Sequence, residues 1–335
     1  MQPDCIVCIL RMALTAIRKL DLTEDRVRRL YGQILKLDVF RENVWERTSP
    51  EAIEMVMKTI SSYLNDLDPF FDEKKKLNEA MMALGPFFEG LVKKAPDPLN
   101  MAIKLAIIGN AIDFMLPQGT EDVENIICDK LKVELEGAAY DDLRHAILDA
   151  RQIVYFTDNA GEIVFDKLLV DTLRQFCNPD IVFVVRNMST LNDATLTEAR
   201  QVELEKTAPV LANGIDGPLP GTILKRCSPG IRNRVDQADL IISKGGGNFD
   251  CLEEEIPQIN TNVSFLLLSK CDPYNAFFKT DLYQPIIANY FVIIKNEKLG
   301  EKYSISPTVA SLKGVLEGSN FSEADYQNHL EEKYL

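Results

Sequence analysis

The chain reads as an α/β protein, a helical N-terminal part followed by alternating strands and helices, and three observations predict it. Apolar residues recur at three- and four-residue spacing through the first 150 residues. From residue 151 the pattern changes to short, continuous apolar runs separated by helical stretches. Polar residues and glycines then collect directly after those runs. Continuous rather than alternating apolar strands are typical of parallel sheets covered on both faces. Strand–helix alternation builds an open, layered α/β structure. The expectation is an N-terminal helical bundle over residues 1–150 and a Rossmann-like three-layer α/β/α domain over 151–335.

Taken in order, Asp21-Leu-Thr-Glu24 and Thr48-Ser-Pro-Glu-Ala52 read as helix starts, with a capping side chain ahead of acidic first-turn residues. Ile53, Val56, Met57 and Ile60 mark one apolar helix face, and Met101, Leu105, Ile108 and Ile112 another. Asp97-Pro98 opens the stretch that carries Gly109-Asn110, and Tyr140 to Ala150 closes the helical part. Ile153-Val-Tyr-Phe-Thr157 is the first predicted strand, followed by a helix from Gly161 to Phe176. Ile181-Val-Phe-Val-Val185 is the second, with a helix near Ala194 to Lys206. Leu240-Ile-Ile-Ser243, Val263-Ser-Phe-Leu-Leu-Leu268 and Phe291-Val-Ile-Ile294 repeat the strand signal.

Composition narrows the function. Formal net charge is −14, from 37 basic and 51 acidic residues, which argues against a nucleic-acid or anionic-membrane binder that needs a basic face. Apolar residues make up 46% of the chain, yet no uninterrupted run approaches the length of a membrane span. Seven cysteines at irregular spacing make a poor disulfide framework and suit reduced thiols in the cytoplasm. Cys5 and Cys8 are read first as buried apolar side chains and second as metal ligands with a further thiol such as Cys271, or as a redox pair. His145 and His329 are too few and too scattered for a histidine metal site or a catalytic triad.

The polar residues after the strands carry the functional argument. Asp158-Asn159 follow the first strand; Arg186-Asn187 and Asn192-Asp193 follow the second. Lys244-Gly245-Gly246-Gly247-Asn248 and Lys270 follow two later ones. Ligands of open parallel sheets sit beyond the carboxyl ends of the strands. Asp158, Asn159 and Asp193 offer hard oxygen ligands suited to magnesium or manganese. A divalent ion there polarises a phosphoryl oxygen and helps to activate a water. Gly245 to Gly247 leave backbone amides bare for phosphate oxygens, and Lys244 and Lys270 supply positive charge. Each piece also has a plain structural reading: an Asp-Asn pair caps helices, three glycines make a tight turn, and single lysines are solvated.

At this point the sequence becomes recognisable. Phe156-Thr-Asp-Asn-Ala-Gly-Glu-Ile-Val-Phe-Asp166 resembles the signature of the damage-control phosphatase family, also catalogued as domain of unknown function 89. Gly109-Asn-Ala-Ile-Asp113, Ser243-Lys-Gly-Gly-Gly-Asn-Phe-Asp250 and Lys270-Cys-Asp-Pro273 agree with it in order. The resemblance implies a helical bundle joined to a Rossmann-like domain. It also implies metal-dependent hydrolysis of small phosphorylated metabolites, sugar phosphates or nucleotides, with magnesium, manganese, cobalt or nickel. It places metal ligands on Asp158, Asn159 and Asp193 and a substrate-handling lysine on Lys270. Asn110 and Asp113 match a motif brought from the helical part, and Asn187 and Asn248 match positions that touch substrate or orient ligands. Cys5-x-x-Cys8 resembles the prokaryotic-type branch. Met115 and Tyr274-Asn275-Ala276 depart from the family pattern and bear on substrate choice rather than on reaction class.

Two other functions fit parts of the sequence. A methyltransferase using S-adenosylmethionine would also use a Rossmann-like domain, but its glycines belong in the first strand–helix turn. A non-catalytic metabolite-binding protein would bind metal and ligand without turnover. Asp158 as a covalent nucleophile is disfavoured because Ala160 stands where aspartyl-phosphate phosphatases need a second aspartate. Glu162, at a helix start, either orders a water on the ion or serves the helix alone.

Overall fold

A computed structural model describes residues 1–41, 44–63, 68–110 and 123–291. Its centre is a six-stranded sheet made of β1 (Gln152–Phe156), β2 (Asp180–Val185), β3 (Val210–Ala212), β4 (Leu240–Lys244), β5 (Asn262–Leu268) and β6 (Pro285–Tyr290). The order is β3-β2-β1-β4-β5-β6, with β1 to β5 parallel and β6 antiparallel to β5. From β1 the chain steps outward to β2 and β3, then returns past β1 to β4. That reversal is the switch point at which open α/β sheets bind ligands.

Strand residues alternate between two cores. Ile153, Tyr155, Phe183, Ile242 and Leu266 face one side, which is covered by the helices Pro98–Gly109, Gly137–Asp149 and Glu162–Leu173. Val154, Phe156, Val184, Ile241 and Phe265 face the other, under the helices Pro229–Gln237 and Gly245–Leu252. Burial of both faces explains why these strands are apolar throughout. The first three helices, Pro3–Arg18, Glu24–Ile34 and Ser49–Ser61, have a core of their own built on Ile9, Ile17, Leu30, Val56 and Ile60. The core that starts at Met81 instead continues across residue 150 into the sheet. Among the described residues, no helix is long and apolar enough to cross a membrane.

One helix links the N-terminal part to the site. Pro98–Gly109 is buried along almost its whole length, as its largely apolar sequence requires, and its one buried lysine, Lys104, pairs with Glu134. Asp97 caps it, with Oδ1 accepting from the backbone N–H groups of Leu99 at 3.1 Å and Asn100 at 3.2 Å. At the far end a Cβ on Gly109 would lie 2.7 Å from the Phe165 ring, so glycine permits the close crossing with Glu162–Leu173. Asn110 is thereby delivered beneath the carboxyl end of β1.

The sheet departs from the sequence reading in two places. The sixth strand runs over 285–290, and Phe291 lies outside it. The apolar run read as a strand otherwise continues beyond the described residues. The three-residue β3, Val-Leu-Ala with Leu211 exposed, is too short to register as a strand among the longer apolar runs.

Candidate active site

Backbone hydrogen bonds bring the loops after β1 and β2 together. The Asp158 carbonyl accepts from Ala194 N–H at 2.7 Å, and the Asn192 carbonyl accepts from Ala160 N–H at 2.9 Å. Asn159 and Asp193 form an isolated antiparallel bridge. Gly161, at φ +75°, then turns the chain into the helix that starts at Glu162. Its N–H donates to Asn78 Oδ1 at 2.6 Å. Asp158, Asn159 and Asp193 therefore stand side by side, each almost fully buried.

Arg186, the first residue after β2, pairs with both aspartates. Its Nε donates to Asp193 Oδ2 at 2.6 Å and its Nη2 to Asp158 Oδ1 at 3.2 Å. Its Nη1 donates to Asn248 Oδ1 at 2.8 Å and Thr222 Oγ1 at 3.2 Å. On the other side, Asp158 Oδ2 accepts from Asn110 Nδ2 and Asn159 Nδ2, both at 2.8 Å. Glu162, fully buried, accepts from the same two amides through Oε2.

This crowding of acids shows in their protonation. Burial, then the charges of Glu162 and Asp193, push the Asp158 carboxyl well above the usual range, against the pull of Arg186 and Lys270. Burial also raises Asp193, opposed by Arg186. Asp166 is pushed up to about 6 by burial, opposed first by Lys244. A buried surplus of carboxylate is the setting a hard cation relieves.

The site residues predicted from sequence do not all come together. Asp158, Asn159, Asp193 and Asn110 converge directly. Lys270, half-buried just after β5, is near enough for its charge to act on Asp158. Asp113 lies outside the described residues.

Four others have protein partners, and of these Lys244 departs from the expected role. Lys244 does not face a ligand: its ammonium is fully enclosed and bonds Glu162, Asp166 and the Ala106 carbonyl. Asn248 is fully buried, with Nδ2 donating to the carbonyls of Thr157 and Lys244 while Oδ1 accepts from Arg186. Gly246 and Gly247 have protein neighbours, since added Cβ atoms would lie 2.4 Å from Tyr274 Oη and 2.0 Å from the Pro220 carbonyl. Two predicted residues keep a local role: Gly245 starts the helix beside Asp158, and the exposed Asn187 donates its side-chain amide to the Ile215 carbonyl at 3.2 Å.

Arg186 and Thr222 were not assigned roles from sequence. An arginine placed directly after a continuous apolar strand is a signal that such a cation is buried and paired. Thr222 has no comparable sequence cue.

A cavity of about 320 Å³ opens between the first helix and the helices Gly245–Leu252 and Asp272–Phe278, and its lining includes neither Asp158, Asn159 nor Asp193. Cys5, Cys8 and Cys271 line it. The cysteines of the N-terminal pair are not buried apolar side chains as expected: Cys5 is partly exposed and Cys8 exposed. Among the described residues, no three acidic, cysteine or histidine side chains are gathered as a ready ion cage. At the β1 edge the donor set is instead two carboxylates and a carboxamide.

Comparison with known proteins shows the family. An uncharacterised protein of Methanocaldococcus jannaschii is 32% identical over 283 residues, covering 81% of this chain and 90% of its own. A damage-control phosphatase of Archaeoglobus fulgidus is 30% identical over 274 residues, covering 81% and 92%. The crystal structure of a protein of the domain-of-unknown-function-89 family from Pyrococcus horikoshii superposes with a TM-score of 0.75 at 28% identity, covering 85% of this chain and 97% of that one. The family model described as the damage-control phosphatase ARMT1-like domain matches residues 1–284, and the chain belongs to that family.

Proposed function

We propose that this protein is a divalent-metal-dependent phosphomonoester hydrolase acting on small phosphorylated metabolites, in the cytoplasm. Its family supports a phosphatase role. The observation that carries the finer reading is the juxtaposition of Asp158, Asn159 and Asp193 at the β1/β4 switch point. The donor set fits a hard cation. Two buried carboxylates lie in a surplus of negative charge, and the Asn159 amide N–H groups are turned to Asp158 and Glu162, leaving its carbonyl oxygen for the ion. Few protein ligands suit magnesium or manganese, which keep several waters.

When bound, such an ion polarises a phosphoryl oxygen and makes a coordinated water a better nucleophile. The protein's own groups prepare that chemistry. Arg186 holds Asp158 and Asp193 at fixed separation. Lys270 contributes positive charge at the same edge, where a phosphate group carries its negative charge. Ala160, at the second position after Asp158, lacks the acid of an aspartyl-phosphate mechanism, which favours water over Asp158 as the nucleophile.

The test is inorganic phosphate release from sugar phosphates and nucleotides, using metal-stripped protein restored separately with magnesium, manganese, cobalt or nickel. Release in at least one metal, abolished in Asp193→Ala protein that retains its fold, is the expected outcome. Silence across the panel, or turnover that survives Asp193→Ala, overturns the reading. Saturable binding of S-adenosylmethionine would redirect it to methyl transfer.

A further inference from the structure

The ion pair of Lys244 and Glu162 is inaccessible to solvent on both sides. Lys244 donates to Glu162 Oε1 at 2.6 Å, Asp166 Oδ1 at 2.8 Å and the Ala106 carbonyl at 2.7 Å. Three donors meet three acceptors, so the ammonium has nothing left to offer a substrate. The second oxygen of Glu162, Oε2, accepts from Asn110 Nδ2 at 2.8 Å and Asn159 Nδ2 at 3.1 Å. The same two nitrogens donate to Asp158 Oδ2, each at 2.8 Å. Two carboxamides therefore bridge two carboxylate oxygens.

That bridge decides an orientation that shape alone does not. The oxygen and nitrogen ends of a carboxamide have nearly the same size, but only the oxygen can ligate a cation. Both Nδ2 hydrogens of Asn159 are engaged by carboxylates, which turns Oδ1 away from them. Glu162 imposes half of that constraint, and Lys244 is what ties Glu162 down. A buried carboxylate that loses its counter-charge is strongly destabilised in place. Its Oε1 then has no ammonium to fix the side chain's rotation.

We propose that Lys244 is a positioning residue for the metal site: acting through Glu162, it makes Asn159 present its carbonyl oxygen to the ion. The inference rests on the reading that Asp158, Asn159 and Asp193 hold that ion.

The test is direct Mn²⁺ binding to the full-length protein by electron paramagnetic resonance, without substrate, with circular dichroism as the check on folding. Lys244→Met weakens Mn²⁺ binding by at least about tenfold, the scale of loss when a group behind a ligand is removed. Glu162→Gln alone weakens it too, because Lys244 attracts the new carbonyl and turns the new NH₂ group against the two asparagine amides. In the double variant no ammonium competes, the glutamine carbonyl accepts from both asparagines, and most of the affinity returns. Such recovery separates positioning from mere structural support, since two lesions in one core otherwise compound.

Wild-type affinity in Lys244→Met, or a double variant no better than Lys244→Met, overturns the proposal. Should Lys244→Met fail to fold, Glu162→Gln decides, and undiminished affinity there overturns it as well. A wild type that binds no Mn²⁺ removes the metal reading and this inference together, whereas wild-type binding with unaffected variants removes this inference alone.

Discussion

At Gly245 the backbone has φ +77°, and a Cβ built there would lie 2.0 Å from Asp158 Oδ2. Either fact disfavours a side chain; together they make this glycine the one that lets a carboxylate approach the start of a helix. Gly245→Ala should destabilise the fold by roughly 1–3 kcal/mol, the scale of a strained non-glycine residue. It should also displace Asp158 and abolish metal-dependent turnover, so urea unfolding and a phosphate assay on one preparation check both effects. Unchanged activity would show that Asp158 tolerates displacement and is no ligand. The sequence made the convergence of Asp158, Asn159 and Asp193 legible because the first two strands both end in polar residues at one sheet edge, although a single such pair has a sufficient structural reason as a turn or cap. It hid the direction of Lys244. Successive strand residues face opposite sides, and whether the last one meets the ligand edge or the packed helices depends on the neighbouring layer, here Glu162 and Asp166.

Whole elements announced themselves best where local chemistry fixes their ends. Thr48 forms a complete capping box with Glu51, and Asp97 caps the buried helix before Pro98, both at predicted starts. β6 was missed because Pro285, Ala288 and Asn289 are poor strand formers, and pairing with β5 supplies what propensity does not. Asp97 supports its helix beyond capping, since its Oδ2 accepts from Tyr140 Oη at 2.6 Å and Arg144 Nη1 at 3.0 Å. Asp97→Ala should cost about 2 kcal/mol, the upper end for a lost cap. Burial works to raise the Asp97 carboxyl, but Tyr140, the two backbone N–H groups and Arg144 outweigh it and hold it below its ordinary value. A depressed carboxyl contributes stability above the unfolded value of about 3.9 and loses it as pH falls through the folded one. The gap between wild type and Asp97→Ala in urea midpoint should therefore be full near neutrality and close in acid. A gap independent of pH would show that packing, not the ionised cap, is what the variant loses.

For the molecule as a whole, the acidic character works against the proposed substrates. A net charge of −14 repels phosphate esters at long range, so attraction has to be local, from Lys270 and a bound cation. The same surplus makes the metal-free site sensitive to pH in a predictable direction. Burial and the nearby Glu162 and Asp193 raise Asp158. A group with a raised folded pKa contributes stability that is fully present below its unfolded value, about 3.9, and is lost as pH rises through the folded one. Relative to Asp158→Asn, which has no such titration, the metal-free wild type should lose melting temperature as pH rises above the unfolded value of about 3.9 towards neutrality. A divalent ion binds the ionised carboxylates, so it should restore that loss, and Mn²⁺ should raise the wild-type melting temperature more near pH 7.5 than near pH 5.5. Calorimetry of wild type and variant with and without Mn²⁺ at the two pH values reads both trends. A larger Mn²⁺ effect in the acidic buffer would mean that the ion binds elsewhere, because at the β1 edge protons and metal compete for the same oxygens.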